Sequence, residues 1–240
     1  MGKRKMRFSK KTMTLFASVL FLVVGIIALN YWNLIPQKSY AAGDFGIETV
    51  ISDRDENDNG IDDFTDILFG ARLYVETDPK YKSDYYIGGY PPAGEGVCTD
   101  VIWAALEIAG YNLKHMVDAD IAAHLTAYAA IVEADPNIDF RRVQNLVVFF
   151  GRNTLSLTTD VNDIASWQPG DIVVYTKHIA IISDLRNKDG VPYIIHHAGQ
   201  PILEEDALTR YDIVGHYRWS GILNKLICKK TEPLRFGFCF

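Results

Sequence analysis

Cys98 follows a stretch that cannot propagate regular structure, "GGYPPAGEGV", and opens an apolar run, "CTDVIWAALEIAG". In that run Val101, Ile102, Ala105, Leu106 and Ala109 recur at helical spacing until Gly110 stops it. A thiol in the first turn of a helix feels unpaired backbone N–H groups and the positive end of the helix dipole, which favour thiolate over thiol. Thiolate is the form in which sulfur attacks a carbonyl carbon. The competing role is that of a small buried apolar residue, common for a free cysteine.

A catalytic thiol needs a base within reach and a third group to orient that base. The chain has six histidines: His115, His124, His178, His196, His197 and His216. His115 and His124 fall in or near helices and read as surface or packing residues. His178 opens "HIAIIS", and His196 and His197 close "YIIHHAG". In an antiparallel hairpin across "DLRNKDGVP", pairing Ser183 with Pro192 sets His197 opposite His178; a slip of one residue sets His196 there. Either register brings two imidazoles to one end of a sheet. The expected site is Cys98 as nucleophile and His178 as base, with a second histidine orienting it. Tyr90 and Asp100 flank the cysteine and read as a turn aromatic and a first-turn helix acid. Asp171 reads as a turn residue, and Arg141 and Arg142 as paired surface arginines.

A second constellation lies in "DENDNGIDDFTD". Asp55, Asn57, Asn59, the Ile61 carbonyl, Asp63 and Asp66 occupy positions 1, 3, 5, 7, 9 and 12 of a calcium loop, and Gly60 occupies the sixth. Asp66 stands where glutamate is usual, and its shorter carboxylate reaches less far. The expected ion is a structural Ca2+; the alternative is a solvated acidic turn at the start of the next helix. No organic cofactor is expected.

These groups need elements to hold them. Helices are expected after the acidic loop and at 98–109, 117–133 and 141–150. From residue 167 the pattern changes to short β-branched runs, "DIVVY", "IAIIS" and "YIIHH". Helices before strands predict an α+β domain with helices packed on an antiparallel sheet. The chain shows no internal repeat and no low-complexity tract.

At 240 residues, 48% hydrophobic and 22% charged, the chain suits one sizeable core with an appendage. Its net charge of −6 is uneven. Residues 1–11 carry six of its 24 basic residues and no acid, leaving 18 basic against 30 acidic residues in the remainder, about −12. So acidic a body argues against nucleic acid as a partner. The run "TMTLFASVLFLVVGIIALNYW" is uncharged and about long enough to cross a bilayer. Basic residues before it and Tyr31 and Trp32 at its far end predict an uncleaved single-pass anchor with a cytoplasmic N-terminus and an extracellular body. A signal peptide cleaved near "SYAAGD" is the alternative. The expected divisions are a basic segment at 1–11, the anchor at 12–32, a linker at 33–46, the calcium-loop segment at 47–70, the catalytic domain at 71–220 and a tail at 221–240. Cys228 and Cys239 in that tail are free to pair, leaving Cys98 reduced; sequence does not fix the connectivity.

The helix-borne cysteine, the "WQPGDIVVY" and "HIAII" strands and the closing "IIHHAG" strand resemble the NlpC-type, papain-like cysteine peptidases of bacterial cell walls. More closely, "GGYPPAGEGVCTDVIWAAL", "DPNIDFRRVQNL", "SWQPGDIVVY" and "GHYRW" resemble a bacterial domain-of-unknown-function family placed in that superfamily, over about residues 45–219. The resemblance implies a papain-like fold and a Cys, His and third polar residue arrangement that cuts amide bonds in peptidoglycan stem peptides. By position, Cys98 matches the nucleophile and His178 the base. The third group follows two apolar residues, which matches His196; the superfamily's His-Ala pair selects His197 instead. Papain-like sites also perform acyl transfer, so an acyltransferase is one alternative. A non-catalytic, calcium-stabilised domain that binds cell-wall peptides is another.

Overall fold

The computed structural model describes residues 10–220. Most of the basic segment, and Cys228 and Cys239 with their tail, lie outside the described residues. The chain divides into two units, Met1–Gln37 and Lys38–Phe240. The first contains helix α1 (Lys10–Tyr31), within which Met13–Tyr31 is long and apolar enough to cross a membrane.

The second unit is mixed α+β. Asp62 starts helix α2 (Asp63–Glu76) by accepting the Phe64 and Thr65 N–H groups on its side chain. Two short strands, β1 (Lys80–Tyr81) and β2 (Glu95–Gly96), pair in parallel on either side of the Gly/Pro loop. Helix α3 (Cys98–Ile108) follows and ends near Gly110, whose φ of 89° suits glycine. It crosses α2 closely: a Cβ on Gly70 would lie 2.9 Å from the Ala105 Cα.

Helix α4 (Leu113–His124) begins four residues before the expected 117, because the Asn112 side chain accepts the His115 N–H at 2.8 Å and caps it. It stops short of the expected 133. A 3-10 turn, Leu125–Ala127, turns the chain so that the Tyr128 hydroxyl reaches back to Asp120. Helix α5 (Val143–Asn153) begins two residues later than expected, since Asp139–Arg141 form another 3-10 turn.

The strands β3 (Leu155–Ser156), β4 (Ile172–Tyr175), β5 (Ile179–Arg186), β6 (Pro192–Ile195), β7 (Glu204–Glu205) and β8 (Ile213–Arg218) form one antiparallel sheet in the order β3-β8-β4-β5-β6-β7. Strand alternation divides its side chains between two cores. Ile172, Val174, Ile179, Ile181 and Ile195 face the helices and meet Val101, Ile102, Leu106, Phe149 and Phe150, all fully buried. Burying each such large side chain stabilises the fold by about 1.5–3 kcal/mol. Val173, Tyr175, Ala180, Ile182 and Ile194 face the other way, against Trp167, Ala207 and Leu208.

The β5–β6 hairpin takes neither expected register. Ile181 pairs with Ile195 and Ile182 with Ile194, and an irregularity between Ile182 and Arg186 absorbs two extra residues of β5 before Arg186 pairs with Pro192. Extended outward, this register sets His178 opposite Ala198. His196 is then a diagonal neighbour on the same face, and His197 lies on the opposite face.

Candidate active site

Cys98 opens α3, and α3 packs on β5. The helix start is held by Asp100, whose two carboxylate oxygens accept Val97 N–H, Trp103 Nε1–H and two donors of Arg141, all at 2.8 Å. Arg141 and Asp100 are both buried, so Arg141 is no surface arginine. Arg142 is the partly exposed member of the pair and contacts Asp139. Tyr90 packs its ring against Trp103 and Phe140 at 4.9 and 5.3 Å.

Cys98 is only 7% exposed. Burial pushes its thiol up to about 11, with the Asp100 charge adding to the effect and the backbone N–H groups of Ile179, Thr99 and Cys98 opposing it. Burial therefore outweighs the helix-start environment that the sequence alone suggests would favour thiolate. Among the described residues no hydrogen bond joins the sulfur to an imidazole. The group of β5 that acts on the thiol is the Ile179 N–H, next but one along the main chain from the His178 Cα.

His178 Nε2 lies 2.7 Å from His196 Nδ1, with the rings nearly perpendicular. His178 Nδ1 makes no hydrogen bond among the described residues. The ring also packs against Tyr175 and Tyr211, and it lines a cleft of about 540 Å³ with Tyr81, Lys177, Arg210 and Asp212. Burial lowers the His178 pKa to about 3, helped by the charges of His196 and His197. His196 is completely buried; burial lowers its pKa too, against the raising influence of Glu205.

Behind His196 stands a network without a sequence signal. His196 Nε2 is 3.0 Å from Glu205 Oε1 and 3.0 Å from Gln200 Nε2, and Arg210 clasps both Glu205 oxygens. "LEEDALTR" reads as a solvated acidic run, yet Glu205 pairs with Ile194 across the sheet and is 1% exposed.

His197 turns to the helix side. Its ring lies 5.3 Å from the Tyr81 ring, and burial lowers its pKa. The Lys80 carbonyl raises that pKa somewhat, but neither ring nitrogen forms a hydrogen bond of good geometry. Tyr81 is the cleft residue that feels the nearby Cys98: its own pKa is raised by burial and by that sulfur.

The remaining histidines stand apart from this cluster. His115 is exposed, and His124 contacts Asp120 at 3.0 Å. His216 stacks on Trp167 at 3.8 Å and bonds to Asp171. Asp171 accepts the Gln168 N–H as a turn residue does, but it is also buried and holds Arg218.

In the 55–66 loop, Gly60 has φ 87° and Asp55 accepts the Asn59 and Gly60 N–H groups. The Asn57 and Asn59 amides both donate to Asp66, at 2.7 and 2.9 Å. Asp63 is turned away, accepting the Glu56 N–H and the Tyr111 hydroxyl. Ile61 is part-exposed at the turn, its N–H bonded to Asn59. Among the described residues no three His, Cys, Asp or Glu side chains gather closely enough to hold a metal. The oxygens of Asp55, Asn57, Asn59 and Asp66 are the part of the expected ligand set that this loop brings together.

Comparison with known proteins adds a relationship. A family described as "Domain of unknown function (DUF1287)" matches residues 68–219. "Uncharacterized protein YijF" of Escherichia coli (strain K12) is 36% identical over 165 residues, which is 64% of this chain and 80% of that protein. No solved structure matches.

Proposed function

We propose that this chain, which belongs to the DUF1287 family, is a membrane-anchored cysteine peptidase or amidase of papain-like, NlpC-type architecture. Its proposed substrate is an amide bond in peptidoglycan stem peptides, met outside the cell by a body that α1 tethers, or that is secreted if α1 is removed as a signal. The observation that carries the reading is the His178–His196 contact at 2.7 Å. It occupies one nitrogen of the proposed base and leaves Nδ1 open, beside a strand that packs on the helix Cys98 opens.

In this mechanism His178 Nδ1 takes the thiol proton as sulfur attacks the substrate carbonyl, and the Cys98 N–H at the helix start stabilises the oxyanion. The imidazolium gives its proton to the leaving amine, which departs as a thioester forms. Water, deprotonated by His178, then releases the acyl group and regenerates the thiol. His196 orients the base. Held apart, the buried thiol and imidazole are both neutral. The ion pair requires the ring to close on the sulfur, where each charge stabilises the other.

The test is the rate at which iodoacetamide alkylates Cys98 against pH, in full-length chain in detergent carrying Cys228→Ser and Cys239→Ser. The expected result is labelling between pH 6 and 8 well above what a thiol titrating at about 11 allows, lost in His178→Ala. A rate that climbs about tenfold per pH unit towards 11, with or without His178, overturns the enzyme reading. The raised thiol favours a second reading in that event: a non-catalytic domain that binds cell-wall peptides in the 540 Å³ cleft and keeps binding after Cys98→Ala.

A further inference from the structure

We infer that Glu205 is a positioning residue that, acting through His196, decides which nitrogen of His178 is left free to take the Cys98 proton. The inference rests on the proposed hydrolase reading for the purpose of that free nitrogen, but its geometry stands by itself.

Two neutral imidazoles joined nitrogen to nitrogen share one hydrogen, which lies on one ring or the other. His178 Nε2 and His196 Nδ1 are so joined at 2.7 Å. If the hydrogen sits on His178 Nε2, His178 Nδ1 carries a lone pair and can act as a base. If it sits on His196 Nδ1, neutral His178 must carry its own hydrogen on Nδ1, and the nitrogen open to the cleft is then a donor. The far side of His196 chooses between these states.

There Nε2 faces two groups, each at 3.0 Å: the Glu205 carboxylate and the Gln200 amide nitrogen. The orientation of Gln200 is fixed, since its oxygen accepts the Ala198 N–H at 2.7 Å, so it offers an N–H to Nε2. Glu205 offers an acceptor, its carboxylate paired with Arg210, which binds both of its oxygens. An Nε2 lone pair against this carboxylate, in a place with no solvent, would set two electron-rich atoms together. An Nε2–H makes a charge-assisted bond instead, and Gln200 keeps a second acceptor in the His196 carbonyl at 3.2 Å. The carboxylate therefore fixes hydrogen on His196 Nε2, His196 Nδ1 accepts from His178 Nε2–H, and His178 Nδ1 is left bare. When His178 takes the thiol proton, the positive charge stays on its ring and is stabilised by the Glu205 carboxylate through the polarised His196 ring, with no further proton moved. The sheet enforces the arrangement, because pairing of Glu205 with Ile194 puts its side chain on the same face as His196.

Glu205→Leu makes the inverse prediction. With the carboxylate gone, the group left facing His196 Nε2 is the Gln200 N–H, which needs a lone pair there. This drives hydrogen to His196 Nδ1, and a hydrogen then occupies His178 Nδ1. The measurement is the pair of ring 15N shifts of His178 and His196 at pH 7 in histidine-labelled full-length chain in detergent, since protonated and bare nitrogens resonate far apart. The unaltered protein is expected to carry hydrogen on Nε2 of both rings. Glu205→Leu is expected to move both to Nδ1 and to slow iodoacetamide labelling of Cys98 at pH 7 by at least about tenfold, as in sites where loss of an orienting acid leaves the wrong tautomer. Hydrogen on His178 Nδ1 in the unaltered protein overturns the inference without any variant. Unchanged tautomers in folded Glu205→Leu overturn it as well. The expected tautomers with a Cys98 that is inert throughout leave the inference standing and remove the hydrolase reading.

Discussion

Asp100 is wholly buried two residues from Cys98, and its carboxylate is met by one backbone N–H, one indole and one guanidinium. Arg141 supplies the compensating charge from a distant turn. Arg141→Ala leaves a buried carboxylate uncompensated, and such truncations cost about 3–5 kcal/mol. The expected outcome is a large fall in the urea midpoint. An unchanged midpoint would mean that water replaces the guanidinium. The same reasoning separates the two arginines, since Arg142 is 41% exposed and its bond to Asp139 is worth little.

At the scale of elements, the hairpin and the acidic loop behave differently. In the hairpin, a one-residue change of register exchanges His196 for His197 on the face that carries His178, so the pairing of Ile181 with Ile195 selects the third residue of the proposed site. In the loop, backbone N–H groups already satisfy Asp55, and two amides satisfy Asp66. A calcium ion would take the oxygens of Asp55, Asn57, Asn59 and Asp66 as ligands and act on stability alone. Binding to the native state only, at a hundred times its Kd, adds about 2.7 kcal/mol. Millimolar calcium is therefore expected to raise the unfolding temperature, and Asp55→Ala to cancel the rise. A temperature unmoved by calcium identifies the loop as a self-sufficient cap on α2.

For the whole molecule, the buried histidines set the response to acid. His178, His196 and His197 all have folded-state pKa values below the ordinary 6.5, chiefly because burial penalises the charged ring. Below 6.5 the unfolded chain binds protons that the native state refuses. Stability is therefore intact above that pH and declines as pH falls, towards about 3 for His178. Each such histidine contributes a slope of up to about 1.4 kcal/mol per pH unit. The urea midpoint is expected to drop between pH 7 and 5, and less steeply in His178→Gln. A midpoint flat over that range would show that the rings take up protons freely in the folded state.

The sequence by itself determined the apolar N-terminal helix, the α+β class, the helix start at Cys98 and the meeting of two histidines at one sheet end. Each is a local matter of periodicity, glycine punctuation or strand spacing, and each is written within a few dozen residues. The ends of α4 were not legible, because a single Asn112 cap and the Tyr128–Asp120 contact override periodicity. Nor was the choice of His196 over His197, which depends on the Ile181–Ile195 register that propensity does not encode. Arg141 looked like one of two surface arginines, and no motif singled out Glu205. Only the tertiary structure buries them, bringing Arg141 to Asp100 from 41 residues away and Glu205 to His196 across a strand pair. A buried charge must find its partner, and which residues meet is decided by the packing of whole elements rather than by neighbours in the chain.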